Sequence, residues 1–95
     1  MTDLDLSRGL RTLRRTVLML QTELRHGRVE VELLTEIDAR MERGIASDPR
    51  CAALVTDVDA LRESIITPRP ELKADAIKAC SKLMDDIAMV LDKVG

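Results

Sequence analysis

Three features of this 95-residue chain predict an all-α fold, an antiparallel helical bundle of about four helices. Apolar residues recur at alternating steps of four and three, as in Leu6, Leu10, Leu13, Val17, Leu20 and Leu24, which is the period of a helix whose stripe lies against another helix. Although 45% of the chain is hydrophobic, it contains no Phe, Tyr or Trp. Its core must therefore come from Leu, Val, Ile, Met and Ala, a set that suits helix packing better than strands, which favour aromatic and β-branched residues. Finally, the periodic segments are separated by sharp punctuation at Ser47, Asp48 and Pro49 and at Thr67, Pro68, Arg69 and Pro70.

The first helix is expected over residues 5–26. Asp3, Asp5 or Ser7 can cap its free amides, and Arg25 and His26 suit the negative end of its dipole. Gly27 then suits the position just past the end, with a turn at residues 26–28. A rival reading carries the seam through Gly27 to Val31, Leu34, Met41 and Ile45, making residues 5–46 one rod paired in a dimer. The break is favoured, because glycine inside a helix costs about 1 kcal/mol relative to alanine. The second helix, 29–46, places Val29, Leu33, Ile37 and Met41 on one line and Leu34, Met41 and Ile45 on the next. The third, 49–66, starts with proline in the first helical position after a capping side chain. Its seam is Cys51, Leu54, Val58, Leu61 and Ile65. The fourth, 70–94, has apolar positions from Leu72 to Val94 that cover more than one seam, so it should touch more than one neighbour. Short connections make successive helices antiparallel, in a bundle closed within one chain or completed by a second as a homodimer.

The length fits one domain. A net charge of -2 gives no bulk attraction to nucleic acid or acidic lipid, but the charges are segregated. Residues 8–28 hold six arginines against Glu23, and residues 29–64 hold nine acids against four arginines. The two cysteines, Cys51 and Cys80, form neither a disulfide framework nor a metal motif and read as reduced core residues. The N-terminal residues do not resemble a signal peptide, and no apolar run approaches the roughly 20 residues that span a bilayer. A soluble, cytoplasmic protein is expected.

No pattern in the chain carries catalysis, and no metal or cofactor is expected. His26 is the only histidine and has no neighbouring nucleophile or ligand set; His26, Gly27 and Arg28 also lack the His-x-x-Lys-Gly pattern of histidine phosphotransfer domains. Asp85 and Asp86, or Asp57 and Asp59, diverge around their helix and do not converge on one point. A small helical enzyme such as an all-helical chorismate mutase needs inward arginines, whereas Arg8, Arg11 and Arg15 fall opposite the seam.

The outer face of the first helix is the candidate site. Arg11, Arg15, Leu18 and Met19 lie together there, and such a surface can receive an apolar or acidic helical segment of another protein, since Met and Arg are enriched at interfaces. In the competing arrangement, Leu18 and Met19 pack on an adjacent helix of the same bundle while the arginines pair with Glu30, Glu32 or Glu36. A nucleic-acid-binding regulator using the arginine-rich helix is the alternative function; it is weakened by the acidic remainder and the lack of a helix-turn-helix pattern. In size, low aromatic content and helix layout, with a turn at Gly27 and an acidic second helix, the chain resembles the small helical chaperones of flagellar and type III export. That resemblance covers layout, with no diagnostic motif, and implies a bundle that binds another protein as a regulator, adaptor or chaperone.

Overall fold

Helix formation starts at Thr2, one residue before the acids that the sequence offers as caps. In the computed structural model, which describes residues 2–66 and 72–94, the Thr2 hydroxyl accepts from the Asp5 amide at 3.1 Å. The Asp5 carboxylate accepts in return from the Thr2 amide at 3.5 Å, closing a capping box at the start of α1 (Asp3–Arg25). Asp3 and Asp5 thus occupy the first turn, where their charge complements the dipole, while Ser7 is buried inside the helix.

The far end of α1 is a Schellman turn. Gly27 takes φ 79°, its amide donates to the Leu24 carbonyl at 3.0 Å, and the Arg28 amide donates to the Glu23 carbonyl at 2.9 Å. An ion pair between the same two residues, Arg28 Nε to Glu23 at 3.0 Å, replaces the apolar contact that often locks this turn. The continuous rod over residues 5–46 is therefore not formed, because a left-handed residue at Gly27 ends the helical path. Helix α2 (Val31–Arg40) begins after Glu30, so Val29, expected on the seam, lies outside the helix and is exposed.

After Arg40 the chain widens through Met41–Ile45, where Gly44 has φ 100° and the Ala46 amide donates to the Met41 carbonyl at 2.8 Å. Asp48 then accepts from the Arg50 amide at 2.9 Å, capping a single tight turn, Pro49–Cys51, that leads into α3 (Ala52–Ile66). The predicted break over Thr67, Pro68, Arg69 and Pro70 and the expected start of the fourth helix at residue 70 lie outside the described residues. The last element is α4 (Leu72–Val94). No strand occurs among the described residues.

The seam of α1 is buried along its whole length, from Leu6 to Leu24. It meets Ile37, Met41 and Ile45 from the second segment, Cys51, Leu54, Val58 and Leu61 from the third, and Ala76, Cys80, Leu83, Ile87 and Val90 from α4, in one core. As the breadth of its apolar face requires, α4 packs against both α1 and α3, and α2 covers α1. Gln21 near the end of α1 donates to the Ile77 carbonyl at 2.9 Å and to Ser81 at 2.8 Å, so α1 and α4 run antiparallel. Arg50 ties the start of α3 to Asp3 at 3.0 Å, and Arg62 pairs with Asp38 between α3 and α2. The described residues form a globule of 41 × 20 × 18 Å, with a radius of gyration of 12.8 Å. None of their helices is long and apolar enough to cross a membrane.

Gly9 is a helical residue without a conformational reason to be glycine. A β-carbon there would sit 3.6 Å from Ile45 Cδ1, an ordinary contact distance. Gly9→Ala is expected to raise the unfolding free energy by about 0.5–1 kcal/mol, read from the urea midpoint at unchanged slope. A decrease would mean that α1 and Ile45 are already at closest approach.

Candidate functional site

The heptad spacing that buries one side of α1 turns Arg11, Arg15, Leu18 and Met19 outward, and all four are exposed. Leu18 and Met19 each keep 51% of their surface in water. They do not fill a contact with an adjacent helix of the same chain; they form the ridge between two open grooves. One groove, of about 650 Å³, lies between α1 and α4, lined by Arg11, Arg14, Arg15 and Leu18 on one side and Ser81, Met84, Asp85 and Leu91 on the other. The second, of about 610 Å³, lies between α1 and the start of α2, lined by Leu18, Met19, Thr22 and Glu23 and by Arg28, Glu30, Glu32 and Leu33. Leu18 belongs to both.

The two grooves carry opposite charge. Three arginines against Asp85 line the first, and three glutamates against Arg28 line the second. Among the described residues, Arg8, Arg11, Arg14 and Arg15 make no ion pair, nor do Glu30 and Glu32. The arrangement in which the arginines are neutralised by Glu30, Glu32 or Glu36 is therefore not formed; Glu36 pairs with Arg40 at 3.4 Å instead. Glu30 and Glu32 follow the Gly27 turn and line the groove beside Met19, Thr22 and Glu23, toward the end of α1 away from the arginine cluster.

The other candidate residues stand apart from this face. His26 is the exposed C-cap of α1. Cys51 and Cys80 are fully buried in the core; burial raises both thiols, that of Cys80 to about 12. Neither has the thiolate character of a nucleophile. Among the described residues, no three His, Cys, Asp or Glu side chains gather as metal ligands.

One cluster escapes a reading of each helix by itself. Asp57 and Asp86 do diverge from their sequence neighbours, yet they converge across the α3–α4 contact, where Lys82 Nζ donates to Asp57 at 2.7 Å and to Asp86 at 2.9 Å. Asp57 is only 5% exposed, and its Oδ2 has no hydrogen-bond partner among the described residues. Burial first, and the Asp86 carboxyl second, push the Asp57 carboxyl above its ordinary value against the pull of Lys82. Asp86 is held below the usual range by the neighbouring Asp57 carboxyl and by the hydrogen bond it accepts from Lys82. The sequence does hold a signal: Asp57 falls three residues after Leu54 and four before Leu61, on the flank of the buried seam.

Compared with known proteins, the chain matches no family model, no curated protein and no solved structure.

Proposed function

We propose that this chain is a small helical protein-interaction module, acting as a regulator, adaptor or export-type chaperone without catalysis, and that the outer face of α1 receives its partner. The observation that carries this reading is the placement of Leu18 and Met19, half-exposed, between two grooves whose charges are largely unpaired within the chain. Covering two such side chains removes apolar area from water, and the unpaired arginines give an acidic segment its orientation. Helix-in-groove recognition uses this combination of apolar anchors and flanking charge. Two unbridged, core-buried thiols suit a reducing compartment, so the proposed setting is the cytoplasm.

The test compares wild type with the double variant Leu18→Asp, Met19→Asp. Partners captured from source cells are identified, purified and bound again to each protein in titration. Loss of at least about tenfold in affinity, with unchanged far-ultraviolet circular dichroism, is expected from removing two central anchors. Full retention of the partner removes this face from the function. Binding of DNA or RNA that falls steeply with salt and disappears in Arg11→Ala, Arg15→Ala would replace the reading by the nucleic-acid alternative.

A further inference from the structure

We infer that the α1 face is occupied by a second copy of this chain, related by a twofold axis that passes beside Leu18. This rests on the reading of that face as an interaction surface and names its occupant. A symmetric dimer interface must be complementary to itself: a feature on one side of the axis meets whatever lies the same distance on the other side. The face has that property. Its basic end, Arg11, Arg14 and Arg15, and its acidic end, Glu23, Glu30 and Glu32, lie on opposite sides of the apolar Leu18. A half-turn about an axis lying in the face, perpendicular to the line joining the two grooves, lays each basic groove over the partner copy's acidic groove. Leu18, which lines both grooves, then meets its own copy beside the axis, and Met19 closes against the same apolar centre.

Charge pairing inside the chain engages Glu23, held by Arg28, and leaves the other groups of the face available. Asp85, the acid that lines the basic groove, makes no ion pair with its arginines, and Arg8, Arg11, Arg14, Arg15, Glu30 and Glu32 make none among the described residues. The α1–α2 corner of a second copy is itself an acidic and apolar surface, with Met19 and Leu33 beside Glu30 and Glu32. It is the chemistry that the basic groove accepts. In the resulting dimer, like charges are separated and unlike charges adjoin twice, once on each side of the axis.

The experiment is a charge swap read by sedimentation equilibrium at protein concentrations up to about 100 μM. Wild type is expected at twice the 10.6 kDa chain mass. Arg14→Glu with Arg15→Glu gives a chain acidic at both ends, and Glu30→Arg with Glu32→Arg gives one basic at both ends. Each variant alone is expected at the single-chain mass; mixed in equal amounts, they return to twice it, because both contacts are then oppositely charged. Circular dichroism of each variant establishes that it is folded. As an independent readout, Leu18→Cys should form a disulfide-linked dimer on mild oxidation, since Cys51 and Cys80 are buried, whereas Ala53→Cys on the exposed side of α3 should not. A monomeric wild type overturns the inference, as does a dimer that persists in Leu18→Asp, Met19→Asp or fails to form in the mixture. If wild type is monomeric but still captures a foreign partner through Leu18 and Met19, the interaction module stands and the self-association alone falls.

Discussion

Leu83→Ala is expected to lower the unfolding free energy by about 2–5 kcal/mol, the range for removing a buried leucine side chain from a core that relaxes only in part. Leu83 has 0% exposure and lies on α4, the helix that packs against both α1 and α3. A cavity there opens within the one shared core. The loss is a large share of the roughly 5–15 kcal/mol that holds a domain of this size together, so the variant should unfold at a much lower urea concentration. Leu18→Ala supplies the contrast. The same three carbons are removed, but from a residue with 51% of its surface in water, and a change within about 0.5 kcal/mol is expected for the isolated chain. Equal losses from the two substitutions, measured at concentrations where the chain is a single copy, would mean that Leu18 packs within its own chain and would remove the proposed binding face.

That contrast also shows which parts of the molecule were legible in the sequence. A seam at alternating steps of three and four can be buried only by lateral helix packing. Leu6 to Leu24 and Cys51 to Leu61 could therefore be assigned to the core from spacing alone, whereas for Leu18 and Met19 spacing gave the side opposite the seam but left open whether another helix of the bundle covers it. Ile65, the last position of the α3 seam, is only partly buried, because it lies at the helix end next to exposed Ile66. Local chemistry near glycine and proline was equally readable at Gly27 and Asp48, where one residue type fits the backbone far better than others. Thr2 was missed as the cap because three later side chains offered the same hydrogen bond, and only the reciprocal bond from Asp5 selects between them. Gln21, the Asp57–Lys82–Asp86 cluster and the two grooves are properties of the contact between helices. The spacing along one helix fixes which residues face inward, but not which inward neighbours from different helices come level. The opposite charge of the grooves needed the length of α2, which depends on where Gly27 and Gly44 let the chain turn.

Asp57→Asn is expected to stabilise the chain by about 1 kcal/mol at neutral pH, the opposite sign to most core substitutions, because it removes a buried charge while keeping the side-chain shape. Two effects compete at Asp57. Lys82 attracts its carboxylate at 2.7 Å, while burial and the nearby Asp86 disfavour the charged form. The upward displacement of its titration shows that the disfavouring effects win. For a carboxyl raised by folding, the associated stability is present below the unfolded value and is lost as pH rises through the folded one. Asp86, held low, works in the other direction and loses its stabilising pairing only as pH falls. In Asp57→Asn the amide can accept from Lys82 and donate toward Asp86, giving the atom that now lacks a partner something to bond, and Lys82 keeps its 2.9 Å contact with Asp86. Urea unfolding of both proteins from roughly pH 3.5 to 7 should therefore show curves that nearly coincide at the acid end and separate as pH rises, with the asparagine variant the more stable. A variant that is less stable at neutral pH than at the acid end, relative to wild type, would reverse the order of the two effects. The Asp57–Lys82 pair would then be a net contributor to the α3–α4 contact.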